Sequence, residues 1–98
     1  MNYKTEFPQF DDSISLPEGW EDESWHNNAC PSFSKPLKNN QRLVLWYDYK
    51  SPELRDSPSL KRFGLYVEEN DECIENLCMS DNLEEVLSVA DITQEACA

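Results

Sequence analysis

Basic residues are missing from the last third of this 98-residue sequence: residues 63–98 carry ten acids and no lysine or arginine. That absence makes bare nucleic acid and anionic membranes poor partners, because both would be repelled. Only two glycines occur, and there is no glycine-rich phosphate loop, G-x-S-x-G elbow or H-E-x-x-H pair. A single histidine, His26, leaves any histidine-based catalytic set resting on one residue. A Cys-His pair of His26 and Cys30 is conceivable, but the plainer reading puts His26 in a polar loop and Cys30 half-buried before Pro31. The chain is therefore read as non-catalytic. Long apolar runs are lacking too. The longest is Leu43–Tyr47, and MNYKTEFPQF has no signal-peptide core, so a cytoplasmic protein without membrane association is expected.

Metal-binding patterns are also thin. His26-x3-Cys30 with Cys73-x4-Cys78 offers ligand types suited to zinc. Neither pair has C-x2-C spacing, and residues five apart on a strand point to opposite faces. Small buried hydrophobes are the preferred reading. The acids of ENDE and SDN lack the D-x-[DN]-x-[DN]-G loop of a calcium site, so no cofactor is expected. Without a secretory signal, Cys30, Cys73, Cys78 and Cys97 read as reduced thiols, the alternative being one disulfide between Cys73 and Cys78.

What the sequence does have is acid. Its net charge is −12, from 20 acidic and 8 basic side chains. Residues 1–34 hold seven acids and one base, and residues 35–62 hold three acids and seven bases. Three Trp, four Tyr and four Phe supply large buried areas, so a folded domain is expected and not a disordered acidic tail. Ninety-eight residues allow one domain with one modest core.

Residues 1–28 show neither helical nor alternating periodicity and predict an irregular acidic arm that tucks its aromatics down, with the first few residues loose. CPSFSKPL, KNNQ and RLVLWYDY read as strand, turn, strand, with Asn39-Asn40 tolerating left-handed backbone. Leu43, Leu45, Tyr47 and Tyr49 share one face of the second strand, and Val44, Trp46 and Asp48 share the other, as in an interior strand. Ser51–Leu60, with Pro52 and Pro58, is a loop. KRFGLYVEE alternates with Phe63, Leu65 and Val67 on one face. ENDE turns into CIENLCM, a weak last strand. Leu83, Val86, Leu87 and Ala90 form one helical stripe over residues 81–92, with Asp81 as the cap and Glu84 reaching back. The expected fold is α+β: a three- to four-stranded antiparallel sheet (residues 29–79), one C-terminal helix packed on a face, and the irregular N-terminal arm.

The acids fall into groups. Glu68, Glu69, Asp71, Glu72 and Glu75 occupy a strand end, its turn and the next strand. Asp81, Glu84 and Glu85, with Asp91, lie on or beside the helix away from its apolar stripe. Asp11, Asp12, Glu21, Asp22 and Glu23 belong to the arm. Alternate strand residues stand about 6.6–6.8 Å apart on one face, near the scale of successive phosphates along a nucleic-acid strand. The central bases, Lys35, Lys38, Arg42, Lys50, Arg55, Lys61 and Arg62, are expected to pair with the domain's own acids or to solvate the hairpin turns.

WEDESWHNNACPSF (Trp20–Phe33), LVLWYDY and SDNLEEVL resemble small acidic proteins of phages and mobile elements of the anti-CRISPR or anti-restriction type, over most of the chain from residue 16. Several of that group are DNA mimics. The resemblance implies a non-catalytic inhibitor seated in the groove where target DNA enters a CRISPR–Cas interference complex, or on another basic DNA-binding protein. The group is defined by function, so it transfers no residue by position. Two other readings stand beside it: an interaction module whose anchors are Trp20, Trp25 and Trp46, and a small zinc-binding domain.

Overall fold

The computed structural model describes residues 2–56 and 60–96. In chain order the elements are α1 (Tyr3–Glu6), β1 (Glu21–Asp22), β2 (Ser32–Pro36), β3 (Gln41–Tyr47), β4 (Phe63–Glu69), β5 (Glu72–Ser80) and α2 (Leu83–Ala96), with a 3-10 turn at Pro52–Leu54. The strands form one antiparallel sheet in sequential order, β1-β2-β3-β4-β5. The class is α+β, as the sequence indicates, with five strands where three or four are expected.

Local chemistry sets the two tight turns. Asn39 and Asn40 lie at φ 60° and 63°, and Asn70 and Asp71 at 51° and 66°. Positive φ at both central residues is what a two-residue type I′ hairpin needs, and Asn and Asp tolerate it best after glycine. Gln41 N donates to Lys38 O at 3.1 Å across the first turn. Alternation then separates the two faces. Phe33, Leu45, Leu65 and Cys78 stand opposite one another in register, as do Leu43 with Val67 and Tyr47 with Phe63. This face is the core: Leu43 and Leu45 are fully buried, and Val86 and Ala90 of α2 close over it.

The arm covers the rest of the same face, and it is less irregular than its sequence suggests. Tyr3, Phe10, Ile14, Leu16 and Trp20 pack half-buried against the core cluster. The first residues are anchored where looseness is expected from sequence. Tyr3 N donates to Asp22 Oδ2 at 2.8 Å, and Tyr3 Oη accepts from Ile14 N at 3.0 Å. Strand β1 arises because Glu21 and Asp22 pair with Ser34 and Phe33. Two paired residues leave no periodicity to read in sequence.

Two further expectations change. The helix is capped by Asn82, whose Oδ1 accepts from Glu84 N at 3.0 Å, and it runs to Ala96, past residue 92. Asp81 is engaged elsewhere, accepting from Arg62 N at 2.9 Å. Strand β5 spans nine residues, but register shifts interrupt its pairing with β4 between Leu65 and Tyr66 and between Val67 and Glu68. Bulges break strict alternation, which is why the strand looks weak in sequence. Pro58 and Cys97 lie outside the described residues.

Candidate functional site

Strand alternation divides the acids that the sequence groups together. Glu69 stands opposite Glu72, and Val67 opposite Glu75. These pairs belong to the sheet face that α2 covers, at its β5 margin. Glu85 lies farther along β5, away from the turn, its Oε1 4.0 Å from Cys78 Sγ. Asp71 occupies the turn, and Glu84 is exposed at the start of α2. None of these six makes an ion pair among the described residues. Glu69 accepts one hydrogen bond, from Gln41 Nε2 at 3.2 Å. Like charges directly opposite across a ladder destabilise it, so the Glu69–Glu72 pair sets a stability cost against whatever these carboxylates do.

The other acids of the sequence-derived surface are engaged internally. Glu68 is on the opposite, open sheet face, level with Arg42. Arg42 Nε donates to Glu68 Oε1 at 2.8 Å, and Arg42 Nη1 to Glu23 Oε1 at 3.1 Å. Burial opposes the arginine's charge, but Glu68 and Glu23 outweigh it and hold Arg42 more basic than usual. Asp12 pairs with Arg62 at 2.8 Å, and Asp81 with Lys61 at 3.5 Å and Arg55 at 3.9 Å. Asp11 receives the Lys50 and Ser51 backbone N–H groups at 2.8 Å each. Asp22 holds Tyr3 N and Ser24 N. Glu21 is exposed on β1. Each of the three arginines, and Lys61, therefore meets a carboxylate, Arg55 and Lys61 sharing Asp81, whereas Lys35, Lys38 and Lys50 make no ion pair among the described residues. The hydrogen bond from Arg62 draws Asp12 below the ordinary carboxylate range, and the Arg62 N–H does the same for Asp81.

The open face carries its own features. Trp46 and Tyr66 stack with ring centroids 6.5 Å apart and planes 22° apart. To one side lies a polar hollow of about 270 Å3 that includes Glu23, Ser34, Arg42 and Glu68. To the other lies a largely apolar cavity of about 210 Å3, with Trp46, Asp48, Leu60, Gly64 and Met79 in its walls. Trp20 packs on the core cluster beneath Lys35, and Trp25 is exposed beside His26. Sequence reasoning placed Trp46 and Asp48 on one face but gave no sign that a cavity joins them, since Leu60 and Met79 arrive from other parts of the chain.

Asp48 is 93% buried and makes no ion pair among the described residues; its Oδ1 accepts from Tyr49 N at 2.8 Å. Burial pushes its carboxyl above the ordinary range. The sign follows from linkage: an acid whose folded pKa is raised favours folding when protonated and opposes it when ionised. Asp48→Asn is therefore expected to raise stability at neutral pH. The gain should shrink as pH falls through the folded Asp48 pKa and vanish below the unfolded one. Urea unfolding of both proteins across pH 3–7 (a range of ordinary carboxylate titration) would show it; an Asn variant less stable at every pH would contradict it.

Burial likewise pushes the Cys30 thiol far up, which leaves it un-ionised and a poor nucleophile or metal ligand. His26 Nδ1 lies 3.0 Å from Glu6, and Cys73 and Cys78 are free thiols opposite residues of different faces, Glu68 and Leu65. The Cys3His set does not converge, and among the described residues no three His, Cys, Asp or Glu side chains gather as a metal site. No described helix is long and apolar enough to cross a membrane. Nothing matches in comparison: no protein-family model fits the chain, and no curated protein or solved structure is detectably similar.

Proposed function

We propose that this protein is a non-catalytic binding protein whose acidic margin, along the β4–β5 turn, β5 and α2, occupies a basic nucleic-acid-binding surface in place of DNA. Its partner on this reading is a DNA-binding complex of the CRISPR interference or restriction type. The observation that carries the proposal is the sorting of charge. Glu69, Asp71 and Glu72 gather at the β4–β5 turn, Glu75 follows on β5, and Glu84 and Glu85 lie toward the other end of that strand, all without ion-pair partners among the described residues, while every arginine is matched by acids elsewhere. Simple solubilisation would not require two glutamates facing each other across a hairpin. A basic groove would relieve that repulsion on docking, its cations neutralising the carboxylates as they neutralise the phosphates of DNA.

The surface acids Glu69, Glu72, Glu75, Glu84 and Glu85, changed together to Gln, should weaken capture of the partner at least tenfold at low salt, with the fold intact by circular dichroism. Wild-type capture should yield to salt and to competing duplex DNA. The measurement is affinity capture from a bacterial lysate carrying CRISPR and restriction complexes, followed by titration of the purified partner. A partner indifferent to DNA, or undiminished binding by the five-fold variant, would refute the mimicry.

A further inference from the structure

The cavity beside Trp46 joins three features that neither core packing nor the acidic margin accounts for. Its walls are mainly apolar, with Ala29, Trp46, Leu60 and Met79 around it; Leu60 and Met79 stay 42% and 54% exposed. The β4 position between Trp46 and Met79 is Gly64, where an added Cβ would come within 3.0 Å of Met79 Sδ. The lack of a side chain there keeps the floor open. Finally, the buried carboxylate of Asp48 lies in the same wall. Lys61 and Arg62 also line the cavity, but their cationic ends already have anions: Lys61 Nζ lies 3.5 Å from Asp81, and Arg62 Nη2 lies 2.8 Å from Asp12. At about 210 Å3 the space is too small for a cofactor-sized ligand and suits one long side chain.

We infer that the cavity is a receptor for a single lysine side chain of the basic partner, its alkyl stem along Trp46 and Met79 and its ammonium at Asp48. This rests on the proposal that the partner is a basic protein. Charge complementarity selects a cation: Arg55 and Arg62 already favour the Asp48 carboxylate, but burial outweighs them, so the ionised group still gains from a cation in direct contact. The indole face adds attraction for the same charge. A lysine fits better than an arginine. Tyr49 N already occupies Asp48 Oδ1, so the carboxylate has less to offer a two-pronged guanidinium than a point-charged ammonium. The acidic margin would then supply steering, and the cavity a fixed point that sets register.

The test uses the intact protein with n-butylammonium as a lysine side-chain probe and n-butanol as its uncharged counterpart, followed by NMR of backbone amides and the Trp46 indole N–H. Saturable millimolar shifts are expected at Trp46, Asp48 and Gly64, with binding at least tenfold weaker for butanol and for Asp48→Asn. That variant is expected to fold at least as well as the wild type at neutral pH. The five-fold Gln variant of the acidic margin should bind the probe within about twofold of wild type, one screened surface charge being worth little. Equal binding of butanol, indifference to Asp48→Asn, or shifts confined to β5 and α2 would overturn the lysine receptor. These outcomes are separate from the mimicry, which fails only in the capture experiment.

Discussion

Replacing Leu45 with alanine is expected to remove about 3–4 kcal/mol of unfolding free energy, the largest effect of any single substitution considered. Leu45 is fully buried in the middle strand, level with Phe33 on one side and Leu65 on the other. Truncating such a leucine loses the transfer free energy of the removed carbons and leaves a cavity, typically at 2–5 kcal/mol. Neighbours on both strands are held by the ladder, so collapse into the space is limited. A domain of this size has in the range of about 5–15 kcal/mol to lose, so a large fraction would go. Leu54, 52% exposed beyond the sheet, is the control; its alanine variant should stay within about 0.5 kcal/mol. Urea unfolding of the two variants checks both. A Leu45→Ala cost under about 1 kcal/mol would mean that the α2-covered face is not the principal core.

The second large effect is expected at Arg42. This guanidinium links β1's neighbour Glu23 to Glu68 of β4 across the open face. The Glu68 side chain is only 12% exposed, so without Arg42 its charge is left in poor solvent contact near a second carboxylate. Breaking a fully buried pair costs about 3–5 kcal/mol. Arg42 itself is about a third exposed, and solvent screening reduces the figure. Arg42→Met should therefore cost about 1–3 kcal/mol. The diagnostic is rescue: Glu68→Gln added to Arg42→Met should recover more than half of the loss, because it removes the stranded charge. Failure of rescue would mean that the arginine's packing on the sheet, and not its charge, is what matters.

Both effects bear on how the acids divide between stability and function. If Glu68 is tied to Arg42, reversing its charge damages the fold, and lost binding there would be ambiguous. Glu69, one residue on, projects to the other face and lacks an ion-pair partner among the described residues. On the binding role proposed above, substitutions on that side are the ones that report on binding without disturbing an ion pair.

Short-range physics made much of this architecture legible from the residues. Period-two alternation in RLVLWYDY and FGLYV assigned the faces of β3 and β4, because successive side chains must oppose one another. The Leu83, Val86, Leu87, Ala90 stripe gave α2, and Asn39-Asn40 the first hairpin, since few residues tolerate that backbone. The net charge and its concentration in the last third were likewise properties of composition. Other features depended on tertiary structure. Arg42 meets Glu68 across 26 residues, and Arg62 meets Asp12 across 50. The arm's two-residue strand exists only because β2 offers an edge to pair with. The cavity at Trp46 needs Leu60, Gly64 and Met79 brought together. Sequence alone thus determined which residues are acidic and which elements form, because those follow from side-chain chemistry and local periodicity. Only the folded chain decided which acids are left without an ion-pair partner among the described residues, because ion pairing depends on distances through space that sequence separation does not encode.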